Sequence, residues 1–443
     1  MLVKKMTDLI GRTPLLEIDP SVHGLKNITL YAKLEHLNPF GSLKDRPAWK
    51  ILQGQIAGAA ALDQTVIESS SGNMAKAMSI ICNMHGVPFR VVTSRIQVRE
   101  VKQMLQLLGA EVTEFPGMSS CPDPSDPNNP IAWIERLVAA EPGKYVHTTQ
   151  FTNEMNTAAH FDGTGPEILA DLGGAPVDYF IAGMGTTGSS RGTSEFLRLH
   201  NEKLQLIGVV AKKGDGVPGI RNADEMFEVG LFRKELYQQI VEVSIDDAID
   251  GIVTLTRMGV LAGPTSGAAF TAAVKRLREI DATLTEPKKA VFIVNDRVEW
   301  YLSYLQKYRP QLFGVEARKD SPRNVNAGQV SKAKELAPAA AEKWLAGGKS
   351  ALVVDLRGAL AFKAGRIAGS INLPTEQLDD LAEWGVPFSQ DQRVLFVCPV
   401  GDQSKRFVAY FASKGIDCAS LKGGFIAWRD AGKPLQKSVS ARK

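Results

Sequence analysis

A chain of 443 residues, 44% hydrophobic and 23% charged, has the balance of globular protein and the length for two or three domains with buried cores. Its 52 basic and 48 acidic side chains are scattered and leave a net charge of +4, which gives no case for nucleic acid or a membrane as partner and suits small anionic ligands. Four cysteines (Cys82, Cys121, Cys398, Cys418) form no CxxC pair, which argues against a zinc knuckle or a disulfide framework and fits a reducing cytoplasm; no signal-length apolar run opens the chain, and no stretch approaches the roughly 20 residues of a membrane helix.

Asn38-Pro-Phe-Gly-Ser-Leu-Lys44-Asp-Arg46 is the first informative segment. A lysine between a Gly-Ser turn and an apolar helix start is held by its backbone and partly desolvated, which favours the neutral amine that condenses with an aldehyde. Residues 65–68 read as a strand, 69–73 as a turn, and the following pattern as a helix through His85. Ser70-Ser71-Gly72-Asn73-Met74 opens that helix with amides and hydroxyls suited to a carboxylate, although a serine-rich N-cap explains the same residues. The proline-rich stretch 121–130 reads as an exposed loop. Residues 178–182 form a second strand, followed by a glycine-rich loop over 183–192 and a helix through Leu199. Amides, hydroxyls and a helix dipole converge there as a phosphate requires. The loop lacks the P-loop Lys-Ser/Thr and does not read GxGxxG, so a phosphate carried by a cofactor fits better than a nucleotide.

Further buried strands are expected at 206–211 and 290–294, and a turn over 263–268 precedes a helix over 269–278. A hydroxyl in that turn can meet a ring nitrogen without charging it, or can cap the helix that follows. Alternating strands and helices predict an α/β fold with largely parallel sheets, whose ligands sit at the carboxyl ends of the strands. The pattern breaks around 304–336, where Lys, Arg, Pro and Asn dominate. We read a first domain over 1–310, a linker over 311–337 and a second α/β domain over 338–443. In the latter, strands at 351–355 and 394–397 are expected, then a loop over 398–404 and a helix over 405–413. Cys398 stands at a strand end on a loop that turns toward a helix N-terminus, a place that lowers a thiol pKa and offers amides to an anionic sulfur.

A lysine for an aldehyde, a phosphate cup, a carboxylate loop and a neutral hydroxyl for a pyridine nitrogen together resemble a pyridoxal 5'-phosphate enzyme. Their order resembles the fold-type II branch, the cysteine synthases and cystathionine β-synthases, from about Gly11-Arg-Thr-Pro14 to Asn295-Asp296, through Gln150-Phe151 and Gly163-Thr-Gly-Pro-Glu-Ile168. The resemblance implies a two-lobed fold of parallel sheets flanked by helices, and a homodimer. It implies that Lys44 bonds the cofactor aldehyde and takes the substrate α-proton, and that Asn73 meets the ring hydroxyl. Ser70, Ser71, Met74 and Gln150 would hold the carboxylate of an amino-acid substrate. Gly185, Thr186, Thr187, Gly188 and Ser189 would form the phosphate cup, and Thr265 would face the pyridine nitrogen. Met74 stands where the family often has threonine, and Thr187 where glycine is usual. Arg221, in Gly219-Ile-Arg-Asn-Ala-Asp-Glu225, resembles the arginine of cysteine synthases that use O-phosphoserine. Its guanidinium pairs with a phosphate dianion and does little for a neutral acetyl; Lys212 and Lys213 add positive field.

The second domain resembles a rhodanese through Asp355-Leu-Arg357, Gly365-Arg-Ile-Ala-Gly-Ser-Ile-Asn-Leu-Pro374 and Leu421-Lys-Gly-Gly-Phe-Ile-Ala-Trp428, with Cys398 as the persulfide carrier. Gln403 replaces a frequent arginine and Arg366 a frequent histidine. The expected activity is β-replacement on an O-activated serine with a sulfur nucleophile, supplied through Cys398 from a persulfide donor or a sulfur-carrier protein. The alternatives are an amine or homocysteine as nucleophile, or a sulfur-relay scaffold whose first domain only binds.

Overall fold

The computed structural model describes residues 2–93, 96, 98–115, 129–314, 321–347 and 350–436. It divides into two compact units, Met1–Val315 and Glu316–Lys443.

The first unit holds two sheets. The larger has the order Leu15–Glu17, Ile28–Lys33, Lys288–Ile293, Tyr179–Gly183, Gln205–Ala211, Tyr237–Val243, and all its pairs but the first are parallel. The smaller sheet, Glu111–Glu114, Phe89–Thr93, Thr65–Ser69 and Tyr145–His147, is parallel throughout. Parallel strands covered on both faces read as unbroken apolar runs, and Tyr179–Gly183 is buried at every position. Helix Pro264–Asp281 packs on the larger sheet through Ala268, Ala269, Ala272 and Ala273, all fully buried. It also touches helix Ile245–Arg257 backbone to backbone. A Cβ on Gly251 would lie 2.1 Å from the Gly267 carbonyl, so no larger residue fits at that crossing. This contact fixes the start of the helix that carries Thr265.

That helix begins earlier than the sequence pattern indicated. Pro264 takes the first helical position, where its missing N–H is no loss, so residues 264–268 are helix and not turn. Likewise helix Gly188–Arg198 begins inside the expected loop 183–192, and helix Asp402–Ala412 begins three residues before 405. Of the proline-rich stretch, residues 121–128 lie outside the described residues. Asn129 caps helix Pro130–Ala140, its Oδ1 accepting from the amides of Ile131 (3.0 Å) and Ala132 (3.2 Å).

The second unit is a five-stranded parallel sheet, Glu335–Leu336, Cys418–Leu421, Arg393–Val397, Ala351–Asp355, Ile371–Asn372, with helices around it. The stretch 311–337, read from composition as a linker, carries structure: Pro322–Asn324 and Ala327–Val330 are short helices, and Glu335–Leu336 pairs with Cys418–Leu421. Among the described residues no helix is long and apolar enough to cross a membrane.

Candidate active site

A cavity of about 380 Å³ opens at the carboxyl ends of strands from both sheets of the first unit, the position expected of a ligand site in such sheets. Lys44, Ser70, Ser71, Asn73, Met74, Gln150, Gly185, Thr186, Arg221 and Thr265 all line it. Thr187, Gly188 and Ser189 lie behind the lining, buried at the start of their helix.

Lys44 precedes helix Asp45–Leu52. Its turn is tied to the loop after strand Lys288–Ile293, because the Leu43 amide donates to the Asn295 carbonyl (2.7 Å). The Lys44 amine donates to Thr186 Oγ1 at 3.2 Å. Burial brings its pKa down to about 8, so the reactive free amine is accessible near neutral pH. A buried ion cluster anchors the segment from behind: the Arg46 guanidinium grips Glu35 (2.6 Å) and Glu167 (2.6 Å), and Lys33 adds a second cation to Glu167 at 3.1 Å. Burial opposes the charge on Glu167, yet hydrogen bonds and charge from Arg46 outweigh it and hold that carboxyl at about 2.

The phosphate loop joins strand Tyr179–Gly183 to helix Gly188–Arg198. The first amides of a helix have no intrahelical acceptor, which suits the start of this helix to an anion. The backbone is folded tightly: a Cβ on Gly185 would lie 2.7 Å from the Gly219 carbonyl, and one on Gly188 would lie 2.2 Å from Asn156 Oδ1. Asn156 braces the loop, its Nδ2 donating to Thr186 Oγ1 (3.0 Å) and to the Gln150 carbonyl (2.8 Å). Thr187 adopts φ 62°, the left-handed region that favours glycine, which explains why a glycine is usual there. Its Oγ1 is buried without a hydrogen-bond partner among the described residues.

The loop over 70–74 caps the helix that follows it. Ser70 Oγ accepts from the amides of Gly72 (3.3 Å) and Ala75 (3.2 Å), capping helix Asn73–Met84, and its proton remains available to a ligand. Gln150 donates its side-chain amide to the Ser69 carbonyl at 2.6 Å. The Asn73 amide donates to Asp296 Oδ2 (2.5 Å) and to the Tyr301 hydroxyl (3.1 Å), and Tyr301 donates to the same carboxylate oxygen. Asn73 Oδ1 is thereby left buried without a partner among the described residues, as a site for a ring hydroxyl requires. Thr265 donates to the Pro218 carbonyl at 2.8 Å, which turns its side chain toward the loop 216–220 on the cavity wall.

Arg221 is fastened to the phosphate loop, its backbone amide donating to the Met184 carbonyl at 2.9 Å. Its guanidinium lies over the Phe151 ring, 4.9 Å from the centroid, and donates weakly to the Glu225 carbonyl at 3.4 Å. Lys213 is exposed and pairs with Asp224 at 2.7 Å.

Four residues escaped the sequence reading: Asp296, Tyr301, Asn156 and Glu68. Asp296 follows the carboxyl end of strand Lys288–Ile293, and that position alone marks it as a candidate. Each of the others also bonds a residue far away in sequence: Tyr301 meets Asn73, Asn156 meets Thr186 and Glu68 meets Gln150, and no local pattern announces those pairs.

In the second unit, Cys398 follows strand Arg393–Val397 and its side chain is wholly buried. The Gly401 amide donates to its Sγ at 3.1 Å, and the Ser404 hydroxyl lies 3.2 Å from it. Gly401, at φ 94°, turns the loop into helix Asp402–Ala412. The other resembling segments pack around this loop: Gly424 is so close that a Cβ there would lie 2.3 Å from the Cys398 carbonyl. Arg357 pairs with Asp355 (2.6 Å) and stacks on Phe425, 3.4 Å from the ring centroid. Gln403 accepts from the Thr375 hydroxyl at 3.2 Å.

A desolvated lysine facing a phosphate loop across a cleft between two parallel sheets defines a pyridoxal-phosphate enzyme of fold-type II. The family described as pyridoxal-phosphate dependent enzymes matches residues 6–296, and the rhodanese-like domain family matches residues 337–431. Cysteine synthase B of Pseudomonas aeruginosa is 31% identical over 303 residues, covering 67% of this chain and 95% of that protein. The N-(2-amino-2-carboxyethyl)-L-glutamate synthase of Ralstonia nicotianae is 34% identical over 313 residues, 68% of this chain and 89% of its own. The crystal structure of the O-acetylserine dependent cystathionine beta-synthase from Helicobacter pylori superposes with a TM-score of 0.60 at 28% identity, covering 68% of this chain and 98% of that one. The chain therefore belongs to the pyridoxal-phosphate dependent enzymes related to cysteine synthase and cystathionine β-synthase, and carries a C-terminal rhodanese-like domain.

Proposed function

We propose that this enzyme replaces the β-substituent of an O-activated L-serine, O-phosphoserine in preference to O-acetylserine, with sulfur, giving L-cysteine or a derivative. The observation that carries the leaving group is Arg221 on the cavity wall, fastened through its own backbone to the phosphate loop opposite Lys44. In this reading the amides of 185–189 and the hydroxyls of Thr186, Thr187 and Ser189 hold the cofactor phosphate, Asn73 the ring hydroxyl and Thr265 the ring nitrogen. The orphaned Asn73 Oδ1 and Thr187 Oγ1 and the glycine-tight loop support that fit. Ser70, Ser71, Met74 and Gln150 receive the substrate carboxylate.

Bound pyridoxal phosphate supplies a sink for the electron pair left at the α-carbon. Lys44, whose amine would hold the cofactor's aldehyde between turnovers, would serve as the base that takes the α-proton. Phosphate leaves the β-carbon with the C–O electrons, the nucleophile adds there, and Lys44 returns the proton. We read the protein as cytoplasmic from its few cysteines, and as a homodimer because the resemblance implies one. The test is to supply sulfide with either activated serine: kcat/KM for O-phosphoserine should exceed that for O-acetylserine by at least about tenfold. The reverse order overturns the assignment of the leaving group.

The rhodanese-like unit relays persulfide sulfur from Cys398, directly or through a sulfur-carrier protein's thiocarboxylate. Persulfide sulfur is more oxidised than sulfide, so its delivery consumes two electrons: one thiol attacks the inner sulfur and releases sulfide, and a second thiol resolves the mixed disulfide, the two thiols ending as one disulfide. With glutathione persulfide and excess glutathione, Cys398→Ser should lose about 90% of the cysteine-forming rate while keeping the full rate with free sulfide. Equal rates from both proteins on the persulfide would remove the relay. A second reading, an amine nucleophile giving a diaminopropionate-type product, is favoured by the similarity to the Ralstonia glutamate-linked synthase. Homocysteine, giving cystathionine, is the counterpart suggested by the Helicobacter structure.

A further inference from the structure

Glu68 lies at the end of strand Thr65–Ser69 with a side chain 1% exposed. Its Oε1 accepts from the Ser69 amide (2.7 Å), and its Oε2 accepts from the Thr148 hydroxyl (2.6 Å) and the Gln150 amide (2.9 Å). The two strands concerned pair through Ile67 and His147, and beyond His147 the regular ladder ends. Past that point the loops of 69–73 and 148–151 are joined by the Thr148 amide on the Ile67 carbonyl (3.3 Å), by Glu68, and by the Gln150 side chain on the Ser69 carbonyl (2.6 Å). These are the loops that bring Ser70, Ser71 and Gln150 to the cavity.

Burying a carboxylate is costly, and a neutral amide of the same shape would normally be preferred. Burial pushes the Glu68 carboxyl up to about 7 against the pull of its donors; three donors converge on its two oxygens, which the ionised carboxylate satisfies in full, whereas a glutamine would set its own NH₂ against a backbone amide whichever way it is turned. We infer that Glu68 is a positioning residue for the substrate-carboxylate site: by accepting from both loops it sets the spacing between the Ser70–Ser71 backbone and the Gln150 side chain. It governs affinity for the α-carboxylate and leaves proton transfer at Lys44 untouched. The inference rests on the reading of this cavity as an amino-acid site.

The experiment uses the holoenzyme and L-serine, whose hydroxyl is a poor leaving group, with binding followed by the visible absorbance of the bound cofactor. In Glu68→Gln the Kd for L-serine and the KM for O-phosphoserine should each rise about 30-fold, with kcat within about threefold of wild type. Thr148→Val, which removes one donor, should raise Kd about fivefold. A Glu68→Gln protein that binds L-serine as wild type does, or that loses kcat with Kd unchanged, overturns the inference. Where Glu68→Gln does not fold, an unchanged Kd in Thr148→Val does the same. A wild-type protein whose absorbance responds to no amino acid refutes the amino-acid reading of the cavity itself, a failure visible before any variant is made.

Discussion

Lys44→Ala lowers kcat by at least about 10⁴-fold, because one side chain supplies both the covalent hold on the cofactor and the proton acceptor at the α-carbon. The structure gives the reason in two parts. The amine is desolvated to a pKa of about 8, and it sits 3.2 Å from Thr186 on the phosphate loop, so a bound aldehyde and the amine are held together. Lys44→Arg separates charge from reactivity: the guanidinium keeps a cation in place, yet stays protonated and does not condense. Both variants should fold, melt where the cofactor-free wild-type protein melts, and lose the absorbance of lysine-bound cofactor after dialysis. Retention of more than about 1% of kcat in either variant would remove Lys44 from the reaction.

Arg221→Ala separates the two activated serines. Loss of a charge-assisted contact with a phosphate dianion is worth about 1.5–3 kcal/mol, or roughly 10- to 150-fold in kcat/KM for O-phosphoserine. O-acetylserine has no charge to lose, and its kcat/KM should stay within about threefold. The ratio of the two is the decisive quantity, since a general disturbance of the 216–225 loop would lower both together. Some disturbance is expected from the loss of stacking on Phe151, and O-acetylserine kinetics measure it. Equal losses on both substrates would make Arg221 a loop anchor and reopen the leaving group.

Much of the first unit was legible because buried parallel strands leave an unbroken apolar run and are followed by loops rich in glycine and hydroxyls. Tyr179–Gly183 is such a strand, whereas Thr65–Ser69 offers only Val66 and Ile67 before its serine-rich turn; the loops after the two hold most of the candidate site. Helix starts were less legible. Gly188 and Pro264 look like loop residues, yet the one opens its helix behind a left-handed Thr187 and the other occupies the first helical position. Glu335–Leu336 is a strand of two residues, too short for any periodicity, so its stretch read as a linker. The supports of the site were the least legible. Asn73 meets Asp296 across 223 positions and Gln150 meets Glu68 across 82, and such pairs exist only once the sheets have brought them together.

Thr187 has a consequence for the whole molecule. A non-glycine residue in the left-handed region raises the energy of the folded state by about 1–2 kcal/mol, and its buried hydroxyl, which has no hydrogen-bond partner among the described residues, adds to this. The strain is present before any ligand arrives, so it is not subtracted again when a phosphate binds the loop. An anion that satisfies the hydroxyl and the neighbouring amides returns stability to the fold in proportion to its occupancy. If this loop holds the cofactor phosphate, adding pyridoxal phosphate to the cofactor-free protein should raise its melting temperature in a concentration-dependent way, and an unchanged melting temperature would refute the coupling.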